Sequence, residues 1–292
     1  MTANRPGVGM PARDQSDCQA PGAPSDSRTP EHSGHDLTAA FDDSGPLPSG
    51  VEKQRMVRAM FDQIASRYEL VNTIMTFGFD RRWRRSLVRS LGLEPGATVL
   101  DIGSGTGDVA RELERRGYLA VAADISWGML ISSRHQAHRA GAADGPGRRM
   151  MQADAAELPV ATGSVDAVAS AFALRNLGDL AASLAEAARV LRPGGRIGLL
   201  EVSVPHNALL RAGHGVYFNR IVPTLGALLS DRSAYRYLPR SVAYLPPPRD
   251  LLRILETAGF EMPERRQMTG GVVQLFTARR SVDSNGGGPP QQ

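Results

Sequence analysis

The chain predicts an α/β fold, a mostly parallel sheet covered by helices on both faces. Three observations carry that reading. Short apolar runs alternate with amphipathic stretches, a glycine-rich turn follows the first run, and acids close the first three. Regular strand–helix alternation is the signature of parallel strands joined by crossover helices.

The elements follow in order. Residues 51–92 read as helical and precede the sheet, with Met56, Met60 and Ile64 at helical spacing as core positions. Val99–Ile102 is the first strand and Asp108–Arg116 the helix after it. Leu119–Ile125 is the second strand, followed by a helix near Ser126–Arg139. Arg148–Ala153 and Ser164–Phe172 read as two more strands. Leu180, Leu184, Ala187, Ala188 and Leu191 share one helical face. Pro193-Gly194-Gly195 is expected to stop that helix, because proline cannot continue it and glycine accepts positive φ. Arg196–Val202 is then a strand. His206–Leu229 is apolar and stands where a substrate lid is expected. Gly213, Gly215 and Pro223 argue against one unbroken helix there.

Composition bounds the function. The 292 residues are 41% hydrophobic, enough for a core that needs neither disulfides nor a structural metal. Cys18 is the single cysteine and the six histidines have no cysteine beside them, so neither a disulfide-stapled fold nor a zinc cluster is expected. No apolar run reaches membrane-spanning length and the N-terminus carries no secretory pattern, so a cytoplasmic setting is expected. Residues 1–50 hold seven Pro, six Gly and six Ser with Phe41 as their one aromatic, a composition that reads as a disordered tail. Residues 281–292 read likewise, leaving 51–280 as the folded domain. The tail carries three basic and seven acidic residues and the remainder 31 and 23. A basic body suits either a nucleic acid or an anionic membrane surface.

The glycine loop Asp101-Ile102-Gly103-Ser104-Gly105-Thr106-Gly107-Asp108 points to the cofactor. Glycines here let the backbone approach a ligand closely. A dinucleotide fingerprint needs a third glycine at position 108, which is Asp, and a phosphate-binding P-loop needs Lys-Ser/Thr after the last glycine. Asp101 would repel a pyrophosphate but suits an ammonium group. Asp124 closes the second strand, where a carboxylate accepts from ribose hydroxyls. Asp154-Ala155 closes the third, where an acid accepts from an adenine amino group beside a small residue. S-adenosylmethionine has all three parts.

These motifs resemble the class I methyltransferases and, more narrowly, the UbiE/MenG family of ubiquinone and menaquinone biosynthesis. The segments Tyr68-Glu69-Leu70-Val71-Asn72, Leu174-Arg175-Asn176 and Tyr235-Arg236-Tyr237-Leu238 carry the narrower likeness, which extends over about 52–280. The resemblance implies a Rossmann-like, seven-stranded class I methyltransferase fold. It implies S-adenosylmethionine bound by Asp101, Gly103, Gly105, Thr106, Gly107, Asp124, Asp154 and Ala155, and at Ala171. Ala171 and Ala173 replace the family's serine and glycine, and Asp80 replaces its usual histidine. The implied reaction is carbon methylation of a demethylated polyprenyl quinol, demethylmenaquinol first. A secondary metabolite or another lipid is the alternative acceptor. A non-catalytic nucleic-acid-binding or regulatory protein is a rival of another class, although the resemblance implies no nucleic-acid partner.

Methylating a ring carbon requires negative charge on the neighbouring oxygen. Arg175 is expected to stabilise that charge, Asn176 to orient the hydroxyl or a water, and Tyr68 to take part in proton transfer. A prenylated quinol partitions into lipid, so peripheral contact with the inner face of a membrane is expected. Met75, Phe77, Phe79 and Trp83 beside Arg81, Arg82, Arg84 and Arg85 suit such an interface.

Overall fold

The computed structural model describes residues 48–66, 68–139, 149–205, 207–217, 237 and 240–282. Three helices precede the sheet: α1 (Gly50–Ile64), α2 (Tyr68–Met75) and α3 (Phe79–Leu91). In α1 the 3–4 spacing of Met56, Val57, Met60 and Ile64 forms one buried stripe, which packs with Met129 and Tyr237 in a core of its own. Glycine in the left-handed region ends α3: the Gly92 N–H bonds back to the Arg89 carbonyl.

The central unit alternates as expected: β1 (Thr98–Ile102), α4 (Asp108–Glu114), β2 (Leu119–Asp124), α5 (Trp127–Arg139), β3 (Arg149–Gln152) and β4 (Val165–Ala171). A 3-10 turn (Leu174–Asn176) leads to α6 (Leu180–Val190), β5 (Leu191–Val202) and α7 (Ala208–Val216). A 3-10 turn (Val242–Tyr244), α8 (Pro248–Thr257), β6 (Phe260–Met268), a third 3-10 turn (Thr269–Gly271) and β7 (Val273–Arg280) complete the domain.

The seven strands form one sheet in the order β3-β2-β1-β4-β5-β7-β6. β7 pairs antiparallel with both β5 and β6, while β1 to β5 pair in parallel. Both faces of the central strands carry apolar residues, in alternation along β1 and β5. Leu100 and Leu199 face a core shared with α6 and α8; Val99 and Leu200 face one shared with α3 and α4. This is the class I methyltransferase fold. The order reverses between β1 and β4, and a crevice opens beyond the carboxyl ends of strands at such a switch point.

One expectation needs correction. Pro193-Gly194-Gly195 does not separate helix from strand, because α6 ends at Val190 and β5 begins at Leu191. The register passes from Val165↔Leu191 to Ala167↔Arg196, so these residues form a bulge inside the strand, the arrangement that tolerates proline in a sheet. Helix α7 runs through Gly213 and Gly215 as far as Val216, and Pro223 lies outside the described residues. Most of the expected lid, residues 218–229, lies outside the described residues. At the start of the described region, α1 begins at Gly50 and the Tyr244 hydroxyl donates to the Pro48 carbonyl at 2.6 Å. The rest of the expected tail, with Cys18, and residues 283–292 lie outside the described residues.

Helix α3 lies so close on β5 that Gly198 has no room for a methyl. A Cβ there would stand 2.7 Å from Leu87 Cδ1 and 3.1 Å from Leu91 Cδ2, both on fully buried side chains. Gly198→Ala should therefore overpack this contact and cost ~1–3 kcal/mol, read as a melting temperature several degrees lower with the sheet's circular dichroism unchanged. An unchanged melting temperature would mean that α3 shifts freely on the sheet.

Candidate active site

The carboxyl ends of β1, β2 and β4, the loop after β3, the 174–176 turn and helices α1 and α2 line a partly open cavity. From the sheet come Gly103, Gly105, Asp124, Asp154, Ala155, Ala171 and Phe172. Asn176 comes from the 3-10 turn and Tyr68 from the start of α2. These are nine residues that lie far apart in the chain. Helix α1 closes the cavity with Gln54, Val57 and Phe61, which the sequence did not single out.

The glycine turn is shaped by contact. Gly103 sits at φ +65, and a Cβ on it would fall into the Ala173 methyl. Gly105 is also left-handed, yet a Cβ there would meet nothing, so its open side is free for a ligand. Asp124 Oδ2 accepts the Gly105 N–H at 2.7 Å and Oδ1 the Ser126 N–H at 2.8 Å. Each oxygen retains a lone pair, which suits two ribose hydroxyls. Burial nonetheless raises its pKa to about 6 against the pull of those N–H groups. Asp154 Oδ1 accepts the Ala156 N–H at 3.0 Å, and its Oδ2 accepts the amide of Gln54. Asp62 on α1 ties this side together, accepting the Ser126 hydroxyl at 2.6 Å and the Gly128 N–H at 2.8 Å.

Asp101 takes a different position. It stands behind the glycine turn rather than on the cavity wall, only 1% exposed, and neither carboxylate oxygen has a hydrogen-bond partner among the described residues. Burial, reinforced by the charge of Asp124 and relieved only in part by Arg84 and by the Ala110 N–H, whose contact falls short of a full hydrogen bond, raises its pKa to about 8. Arg84 does not neutralise it, being engaged by Asp80 at 2.5 Å and Asp108 at 3.5 Å. Asp80, the departure from the family's histidine, thus serves the fold: it pairs with Arg84 and accepts the Thr76 hydroxyl at 3.0 Å. The Ser104 hydroxyl is a second buried polar group without a partner. A buried acid left bare is costly unless a cation completes it, and the ammonium of S-adenosylmethionine is a group of that kind. The residues present fit this donor. Thr106 and Gly107 do not line the cavity: the Thr106 carbonyl accepts Arg111 and Gly107 starts α4.

Arg175 is the largest departure from expectation. Its side chain is buried, 6% exposed, and Arg175 is not among the residues that line the cavity. It donates to Glu201 at 2.5 Å, to the Phe172 carbonyl at 2.9 Å and to the Ser241 hydroxyl at 3.1 Å. Glu201 is fully buried and was missed; its one signal is an acid inside the apolar run Ile197–Val202. Asn176 does face the cavity, and the Tyr237 hydroxyl donates to its Oδ1 at 3.2 Å. The Tyr68 hydroxyl stays protonated at neutral pH, because burial raises its pKa further than Arg175 and Arg84 lower it.

Comparison with known proteins decides the family. The model of the ubiE/COQ5 methyltransferase family matches residues 49–280. The chain belongs to this family. A ubiquinone/menaquinone biosynthesis C-methyltransferase UbiE of Syntrophotalea carbinolica is 40% identical over 228 residues, covering 77% of this chain and 94% of that one. A demethylmenaquinone methyltransferase of a Mycobacterium species is 40% identical over 223 residues, covering 76% and 93%. Among solved structures, the [4+2]-cyclase SpnF superposes with a TM-score of 0.57 at 18% identity, covering 81% of this chain and 98% of that one; it shares the fold. As a member of the ubiE/COQ5 family, the protein is an S-adenosylmethionine-dependent methyltransferase of the quinone-biosynthetic type.

The bare Asp101 has a measurable consequence. Unfolded, it ionises near 3.8; folded, near about 8. Between those values the unfolded chain binds fewer protons, so this group's contribution to stability falls as pH rises and levels off above about 8. Without the methyl donor, Asp101→Asn should therefore raise the melting temperature little at the acid end of this window and progressively more toward its upper end. A pH-independent gain would mean that Asp101 is ionised throughout.

Proposed function

We propose that this methyltransferase transfers a methyl group to the ring carbon of a demethylated polyprenyl quinol, demethylmenaquinol first, at a membrane surface. The observation that carries the reading is the paired Asn176 and Tyr237. With Tyr237 donating to Oδ1, the Nδ2 of Asn176 remains as a donor at the cavity this residue lines, opposite the acids proposed to hold the methyl donor. Bound S-adenosylmethionine supplies an electrophilic methyl group.

The chain's residues do the rest. Asp124 and Asp154 accept hydrogen bonds from the donor's ribose and adenine, which requires Gln54 to leave Asp154 Oδ2. Asp101 takes the ammonium. Asn176 Nδ2 donates to the quinol oxygen as charge develops on it, the point at which a preorganised donor lowers the barrier most. Tyr68, a neutral phenol, donates to the same region rather than acting as a phenolate base. Arg175 is a positioning residue: its ion pair with Glu201 fixes the turn that carries Asn176 and keeps positive charge behind it. The apolar wall of Val57, Phe61 and Phe172 suits a flat aromatic ring.

Purified full-length protein should convert reduced demethylmenaquinone to menaquinone, with the new methyl located on the ring by mass spectrometry. Methylation of other lipids but no naphthoquinol would overturn the substrate assignment. Asn176→Leu should lower the single-turnover rate by ~10²–10³ while donor affinity changes by less than about threefold. Tyr237→Phe should give a smaller loss, about tenfold, because the amide then turns freely. A fall in donor affinity that matches the fall in rate would place Asn176 in donor binding instead.

A further inference from the structure

The turn between α2 and α3 is built against the preferences of a folded chain. Helix α2 ends in a Schellman arrangement: the Gly78 N–H bonds to the Thr73 carbonyl and the Phe77 N–H to the Ile74 carbonyl. That motif places one residue in the left-handed region, normally glycine. Here it is Phe77, at φ +51, with its ring 76% exposed. The residue thus bears backbone strain while staying largely exposed, its ring meeting the Tyr217 ring with centroids 5.8 Å apart. Ile74 at 38% and Phe79 at 45% exposure widen the apolar surface around it. The neighbouring charges are equally misplaced for folding. Arg81 and Arg82 are exposed in and beside the first turn of α3, where the helix dipole disfavours cations.

Strained apolar and misplaced basic groups coincide on one knuckle, and that knuckle is connected to the cavity. The Phe79 ring stacks on Trp83, with centroids 6.2 Å apart; Trp83 meets Phe172 edge-on at 6.2 Å, and Phe172 lines the cavity. Helix α2 makes the same connection by backbone, from Tyr68 at the cavity to Phe77 about 12 Å away.

We propose that the α2–α3 knuckle is an interfacial docking site for an anionic lipid bilayer. Phe77 and Phe79 enter the acyl boundary, and Arg81 and Arg82 meet the lipid phosphates. Charge complementarity and aromatic depth together fit a bilayer, where a polyanion alone would leave the aromatic rings without a solvent. The aromatic series then offers an apolar path from lipid to the methylation cavity. This last step rests on the quinol reading of the cavity; the docking itself does not.

The test uses the full chain and vesicles of phosphatidylcholine with about one-third phosphatidylglycerol, in the absence of methyl donor and quinol. Wild type should co-sediment with these vesicles and much less with phosphatidylcholine alone. Phe77→Gly should lower partitioning at least about tenfold, while its melting temperature stays the same or rises as the strain is relieved. The double variant Arg81→Glu, Arg82→Glu should lose the preference for anionic lipid, again without loss of stability. Both should methylate a water-soluble short-chain quinol like wild type, and a long-chain quinol in vesicles at least about tenfold more slowly. Partitioning unchanged in both variants, or binding to single-stranded RNA with none to vesicles, would overturn docking. So would a melting temperature lowered by Phe77→Gly, since the ring would then serve the fold. A wild type that binds vesicles but methylates no quinol leaves docking standing and refutes the substrate reading.

Discussion

Two loops meet at Gly103 and Ala173, and the rest of the site depends on how closely they approach. The turn after β1 presses its backbone onto the turn after β4 so tightly that any side chain at 103 would occupy the Ala173 methyl. The contact joins the two strands of the switch point, one carrying the donor loop and the other the Leu174-Arg175-Asn176 turn. It holds the proposed donor-binding groups and the proposed oxyanion donor on facing walls of one cavity. The alanine at 173 uses all the space left there. A larger residue would part the walls, and separations of about an ångström between reacting groups are expensive in rate.

Buried charge supports this arrangement unevenly. Glu201 and Arg175 satisfy one another, with Ser241 and the Phe172 carbonyl taking further guanidinium donors, so the acceptor turn is rigid before any substrate arrives. Removing only one partner of such a pair costs more than the pair contributes, because the other charge is left buried. Asp101 is the opposite case. It is buried as deeply, neither oxygen is hydrogen-bonded among the described residues, and its raised pKa leaves it largely protonated at neutral pH. One wall is complete in itself, and the other is completed by what it binds.

The sheet was legible because its signals are local. Val99–Ile102 and Leu119–Asp124 are apolar runs closed by acids, and the run length, the glycine turn and the amphipathic helix between them suffice to place both strands. The acids at 124 and 154 were legible for the same reason, since strand ends converge at a switch point whatever the loops do. Arg175 was legible as a turn arginine, but its ion pair was not. Its partner, Glu201, lies 26 residues away on another strand, and pairing across a sheet leaves no trace in spacing. Gln54, Asp62 and Tyr237 were invisible as site residues because they arrive from helices whose packing is set by tertiary contact. Pro193-Gly194-Gly195 has the composition of a helix stop, but β-bulges draw on the same residues.

The N-terminal helices act as the third wall rather than as an appendage. Lys53, the only lysine in the chain, donates to the Leu177 carbonyl at 2.6 Å and lies 3.9 Å over the Tyr244 ring, fastening α1 beside the acceptor turn. Gln54 and Asp62, one and nine residues on, fasten it to the donor side. A helix held at both sides of a cavity cannot be displaced by either occupant alone without disturbing the other's wall. The Gln54 amide is the exchangeable member of this set, because it rests on the acid proposed to receive adenine. Under the proposed donor placement, a ligand at Asp154 would replace the Gln54 contact, while Lys53 and Asp62 would still hold α1 in place.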